Sequence, residues 1–212
     1  MYKRFATVAG LALGLLLILS VPSSFAAGPK LPFNTKTVDL QLALRDLWVG
    51  HTFWVRNVVL STRLGNLQAA KAAEEQVVKN ARSIADAIIP YYGNEAADKL
   101  YGLLAGHYGA VKDYMNSTFK RQAAAQKNAL AALNKNALEI ADFLSSANPN
   151  WPKDTLVSLL AAHGEHHVMQ INDIAKRDFA AEAQVWETMR QNIYTIADAL
   201  AQGIVKQFPA KF

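Results

Sequence analysis

Three of the five histidines in this 212-residue chain stand 56 residues apart, at positions 51, 107 and 163. Each closes the same pattern, L-x2-L-x3-H: Leu44-Leu47-His51, Leu100-Leu103-His107 and Leu156-Leu159-His163. Neutral imidazole is the commonest metal ligand, and three histidines plus water form a familiar catalytic zinc set. His167 lies at i+4 from His163 in "HGEHH" (163–167), so the two share a helical face and can chelate one ion. His166 falls between faces, and Glu165 points elsewhere. The segment is not the HExxH zinc-protease pattern, because no glutamate follows the first histidine. The candidate ligand set is therefore His51, His107, His163 and His167, for a divalent ion such as Zn, Cu or Ni.

A second set recurs at the same step. Asn80, Asn136 and Asn192 stand in "KNARSIAD", "KNALEIAD" and "QNIYTIAD". Ile84, Ile140 and Ile196 follow them by four, and Val77, Leu133 and Met189 precede them by three. Both sets thus sit on apolar helical stripes that face a core. Folding each unit about its midpoint (65.5, 121.5 and 177.5) sets each histidine beside its own asparagine. The expectation is a buried His–Asn pair in each unit: His51 with Asn80, His107 with Asn136, and His163 with Asn192. An unpaired buried polar group costs about 1–3 kcal/mol, and a mutual hydrogen bond would remove that cost and fix hairpin register. In that reading the pairs are structural. In the metal reading helices 1, 3 and 5 surround a common axis, and the asparagines hold the ring orientations.

The elements that must position these residues are helices. Between 79–107 and 135–163, 13 of 29 aligned positions are identical, so one supersecondary unit is used repeatedly. No stretch alternates long enough to make a strand. The periodicity predicts helices over 38–63, 67–89, 95–117, 119–145, 152–174 and 179–208. Gly65 and Asn66 end helix 1 and cap helix 2, and Asp178 caps helix 6. Asn94 and Asn150 cap helices 3 and 5, with Pro152 in the first turn. Short loops make sequential helices antiparallel. The fold expected is all-α, a six-helix bundle of three tandem αα-hairpins with units at 38–93, 94–149 and 150–205.

Lys3 and Arg4 precede an apolar run over 5–21, then Pro22, with Ser24 and Ala26 at a small-x-small site. This reads as a signal peptide over 1–26, with an extended lead-in over 27–37 and one helical domain over 38–212. An uncleaved anchor is the rival reading, and would be the only membrane contact. The product is expected outside the cytoplasm, periplasmic or extracellular. No cysteine is present, which removes disulfides, thiolate metal sites and CxxCH haem attachment. Without Lys3 and Arg4 the 22 basic residues fall to 20 against 17 acidic, and no basic cluster interleaves with aromatics, so nucleic-acid binding is not expected.

The remaining candidates are less specific. Trp48, Trp54 and Arg56 on helix 1 form a possible ligand edge through cation–π contact, with core packing as the plainer role. Asp86, Asp142 and Asp198 point away from the stripe, toward water or neighbouring hairpins. Gly102, Gly106 and Gly109 suggest close helix approach rather than a phosphate loop. No GxSxG, paired-carboxylate or dinucleotide motif occurs.

The segments "LWVGHTFWVRN" (47–57), "PYYGNEAADKL" (90–100), "NPNW" (148–151) and "GIVKQFPAKF" (203–212) resemble a family of exported bacterial all-helical proteins of uncharacterised function. The resemblance covers the whole chain after the leader. Some members carry the names glycosyltransferase or acetylglutamate kinase, which imply α/β folds that this helical pattern does not make. The resemblance also implies histidines in the last helix, where this chain has Arg190 and Asn192. The leading expectation is an exported, non-enzymatic binding or interaction protein, whose partner is a protein or a small molecule. The alternative is a metal-binding protein or metalloenzyme built on the repeat histidines; an oligomeric envelope-assembly role is the third reading.

Overall fold

The computed structural model describes residues 35–212, so the leader and residues 27–34 of the lead-in lie outside the described residues. Six α-helices follow one another: α1 Thr35–Arg63, α2 Leu67–Asp86, α3 Ile89–Phe119, α4 Ala123–Ala147, α5 Lys153–Lys176 and α6 Phe179–Gln207. A short 3-10 turn, Pro209–Lys211, ends the chain. Among the described residues there is no strand, and the all-α bundle expected from periodicity is the observed fold. No described helix is long and apolar enough to cross a membrane.

The boundaries differ from expectation where turn chemistry was misread. Helix α1 starts at Thr35, so 35–37 are helical rather than extended. Pro90 opens a single helical turn, where its missing N–H is harmless, and Gly93 (φ 81°, ψ 174°) breaks from helical geometry, so the long run of α3 starts behind it, close to the expected 95. The end of α3 and the start of α4 fall later than the expected 117 and 119, because Arg121 rather than a glycine adopts the left-handed conformation that ends α3. The three turn residues Gly65, Arg121 and Arg177 (φ 79°, 57° and 63°) are spaced by 56. Asn66 and Asp178 cap as expected, accepting from the Ala69 and Ala181 amides at 3.0 Å. Asn150 does not cap α5. Its backbone N–H and side-chain amide both donate to Asn148 Oδ1, and Pro152 is itself the residue preceding the helix.

Each hairpin packs α1 on α2, α3 on α4 and α5 on α6, and α6 returns to pack on α1. Helix α5 also touches both α1 and α3. The hairpins therefore close around a common axis instead of stacking in a row. Charged pairs fasten the joints from outside. Arg82 of α2 meets Asp98 of α3 at 2.6 Å, Lys153 of α5 pairs with Asp142 of α4, and Arg45 of α1 grips Asp198 of α6 through two bonds. Asp86 pairs with Arg82 in its own helix. The repeated aspartates are thus outer ties.

Inside, the apolar residues form two clusters. One holds Leu44, Trp48, Leu100, Leu104, Trp151, Leu156 and Leu160; the other holds Val55, Val58, Val59, Val111, Leu133, Ile171 and Ile174. On α1, α3 and α5 the histidines stand between these two sets.

The asparagines tie each hairpin together, but to the backbone. Asn80 donates to the Leu47 carbonyl at 2.9 Å, Asn136 to Leu103 at 3.0 Å and Asn192 to Leu159 at 3.4 Å. Each carbonyl lies four residues before a histidine and is the helical acceptor of that histidine's own N–H, so it takes two donors, one per lone pair. The amide needs room to reach it. A Cβ at Gly50 would sit 3.1 Å from Asn80 Nδ2, and one at Gly106 would sit 3.3 Å from Asn136 Nδ2. The corresponding residue of the third unit is Ala162, and there the bond is the longest of the three. Gly102 and Gly109, expected at close helix contacts, have nothing within 4 Å of such a Cβ; of that trio only Gly106 is needed for approach.

This separates two substitutions in one helix. Gly102→Ala should stabilise the fold by about 0.5–1 kcal/mol, the ordinary helix-propensity gain. Gly106→Ala should fall short of that gain by about 1 kcal/mol, the worth of a strained hydrogen bond. Urea unfolding of the two variants side by side measures the difference.

Candidate metal centre

His51 and His107 are 5% exposed, and His163 and His167 are 1% exposed. The four rings meet on the bundle axis, and one nitrogen from each lies within 4.8 Å of the other three. Centroid separations are 4.5 Å for His163–His167, 5.5 Å for His51–His163 and His107–His163, and 5.6, 5.9 and 6.1 Å for the remaining pairs. Five of the six fall between 5.5 and 6.1 Å, which is the pattern of a tetrahedron and not of a square. His163 Nε2 and His167 Nε2 are 3.1 Å apart. A tetrahedral ion with bonds of about 2.0–2.1 Å would hold its nitrogens about 3.3 Å apart. The closest pair is already near that spacing, and small ring rotations would bring in the rest.

His163 and His167 hydrogen-bond each other through Nε2, and the other buried ring nitrogens lack partners. His51 Nε2, both nitrogens of His107, and Nδ1 of His163 and of His167 are buried without a hydrogen bond. Burial holds these rings neutral. The His51 pKa is pushed down to about 3 by desolvation, helped by the neighbouring His107. His107 is pushed to about 4 by desolvation, with the nearby Asn136 amide opposing weakly. Desolvation and the adjacent imidazoles put His163 and His167 well below the ordinary value of 6.5. Four neutral imidazoles, two of them sharing one hydrogen bond, form a nitrogen-rich cage, which suits Zn, Cu or Ni and not the oxygen-seeking Mg or Ca.

The sequence-derived ligand set is the set that converges. The expected ring-to-amide pairs are not formed. The asparagine N–H bonds go to helix carbonyls, and Asn80, Asn136 and Asn192 Oδ1 atoms are buried without partners. The midpoint symmetry placed the right residues side by side, but in all three units the helix carbonyl four residues before the histidine takes the amide instead of the ring.

The proposed ligand edge is also taken apart. Trp48 is buried and lies edge-on to His51 and His163, at 6.2 and 6.3 Å, as a wall of the centre. Trp54 is half-buried and packs edge-to-face on Phe53. Arg56 is committed to Glu182 through bonds of 2.6 and 2.7 Å, and Gln170 donates to the same carboxylate. Glu182, 1% exposed, was missed by sequence reasoning, although a glutamate on the stripe of α6 was a readable signal.

His167 breaks the repeat. One and two steps of 56 back stand Val111 and Val55, both buried in the core. The 56-residue spacing relates His51, His107 and His163, but it gives valine, not histidine, at the positions that correspond to His167. His166, beside it, is half-buried and outside the cluster.

Comparison with protein-family models, with curated proteins and with solved structures gave no match.

Burial of the rings fixes the pH response of the metal-free protein. A base whose folded pKa is depressed costs nothing above its unfolded pKa, near 6.5. Below that value the unfolded chain binds more protons than the folded one, so stability falls with pH until the folded pKa is reached. Each histidine contributes about 1.4 kcal/mol per pH unit, and four together about 5 kcal/mol. A domain of typical stability should therefore unfold within roughly one to three units below that point. Circular dichroism at 222 nm against pH, with chelator present, should show cooperative loss with uptake of several protons. Full helicity retained down to pH 3 would contradict neutral burial.

Proposed function

We propose that this chain is a helical metal-binding protein that holds one transition-metal ion with His51, His107, His163 and His167. The observation that carries the reading is convergence: four of the five histidines meet in one buried cluster, three from equivalent positions and one from a position that is valine in the other units. The unpartnered nitrogens of His51 and His107 support it, since one from each ring would gain a partner in the ion, and leaving such a group buried alone costs about 1–3 kcal/mol. Four protein donors fill a tetrahedral sphere and leave no position for the water that hydrolytic zinc enzymes activate. Binding, storage or electron transfer fits such a centre better than hydrolysis. The leader read from the sequence supports delivery of this domain outside the cytoplasm.

The test is metal stoichiometry. Untagged protein, stripped with chelator and titrated with Zn(II), Cu(II), Ni(II) and Cu(I), should take up one ion per chain and melt at a higher temperature when loaded. His107→Ala, which leaves three histidines, should weaken uptake at least tenfold. If no ion is retained, and His107→Ala changes only the melting temperature, the histidines are structural and the proposal fails.

A further inference from the structure

The centre has a property that its ligand types alone do not convey: every donor in it is uncharged. No carboxylate joins the four imidazoles in the cluster found among the described residues, and the chain has no cysteine. The buried carboxylate of α6, Glu182, is already neutralised by the two-bond grip of Arg56 and by Gln170. Apolar side chains close the layer on both sides, with Trp48 and Leu104 toward one core and Val55 and Val111 toward the other. An ion entering this layer therefore keeps its whole charge in an apolar core.

The cost of that burial grows as the square of the charge. A divalent ion thus meets about four times the desolvation penalty of a monovalent one in the same cage. Common zinc sites avoid the penalty with anionic ligands. Structural sets carry two to four thiolates, and catalytic sets include a carboxylate, a thiolate or a bound water that ionises. Cu(II) faces the same charge and in addition prefers a tetragonal arrangement, which the near-equal spacing of the rings does not offer. Copper in its lower oxidation state carries one charge, has a filled d shell with no geometric demand against a tetrahedron, and accepts imidazole.

Resting on the four-imidazole reading above, we propose that the centre is a cuprous site, taking Cu(I) in preference to Zn(II) and to Cu(II). The chain then serves as a carrier or reservoir of reduced copper, with ion selection made by charge and shape.

The experiment is a direct competition. Full-length untagged protein is loaded anaerobically with one equivalent of Cu(I), kept reduced by ascorbate, then challenged with an excess of Zn(II), desalted and analysed for both metals. Copper should be retained and zinc excluded. A parallel sample given Cu(II) without reductant should bind at least tenfold more weakly. Replacement of copper by zinc, or Cu(II) binding as tight as Cu(I), overturns the proposal while leaving the four-histidine site standing. Failure to retain any ion overturns both. Charge is tested separately by His167→Asp, which keeps four donors but makes one anionic; zinc should then displace copper. His51→Asp does the same from α1, so one poorly folded variant does not decide the matter. If folded carboxylate variants keep the original preference, charge is not what selects the ion and the proposal falls.

Discussion

Four uncharged imidazoles held inside an apolar core set the terms for everything around them. A ring that is 1–5% exposed cannot be protonated cheaply, and its nitrogens cannot be left alone without cost. The chain meets the first condition by keeping charge outside, in the ties Arg45–Asp198, Arg82–Asp98 and Lys153–Asp142 that join one hairpin to the next. In the proposed function it meets the second by gathering the rings so that one ion would take a nitrogen from each. The layer divides the core in two, and closure of three hairpins into a ring is what brings α1, α3 and α5 to a shared axis.

Three of the four converging histidines stand at a spacing of 56 in the sequence, and the fourth does not. The turns at Gly65, Arg121 and Arg177 and the clasps from Asn80, Asn136 and Asn192 keep the same offsets, so His51, His107 and His163 arrive at one level. A threefold arrangement offers a triangle of nitrogens. His167, placed one turn along α5, adds the fourth vertex. The third unit differs in other ways as well. Ala162 replaces the glycine that lets an asparagine approach, and its clasp is the longest, at 3.4 Å.

Helix class, hairpin pairing and the inward face of every candidate ligand were readable from periodicity, since i, i+3 and i+7 spacing fixes a face whatever the tertiary arrangement. His167 was readable for the same reason. Convergence was not, because hairpins in a row and hairpins in a ring carry the same stripes. The midpoint of 121.5 put the α3–α4 turn at Arg121, where it lies, and only the expected helix ends at 117 and 119 fell short, because an arginine took a conformation that usually signals glycine. The His–Asn pairing failed at the level of single atoms. Residue spacing put each asparagine beside its histidine, but all three amides donate to the backbone carbonyl, Asn192 included, and Ala162 in place of glycine only lengthens that bond to 3.4 Å. Trp48 and Arg56 were read together as a possible ligand edge, with core packing the plainer role of the tryptophans, and packing shows Trp48 buried against the centre and Arg56 paired to Glu182.

The most direct test of the central claim is to watch the imidazole nitrogens themselves. In protein labelled with nitrogen-15 at histidine, one equivalent of a diamagnetic ion, Cu(I) or Zn(II), should move the ring resonances of His51, His107, His163 and His167 together, with His166 unmoved. Saturation at one ion per chain with all four shifted is the result predicted. Shifts confined to His166, or no shift in the four buried rings, would contradict a shared centre.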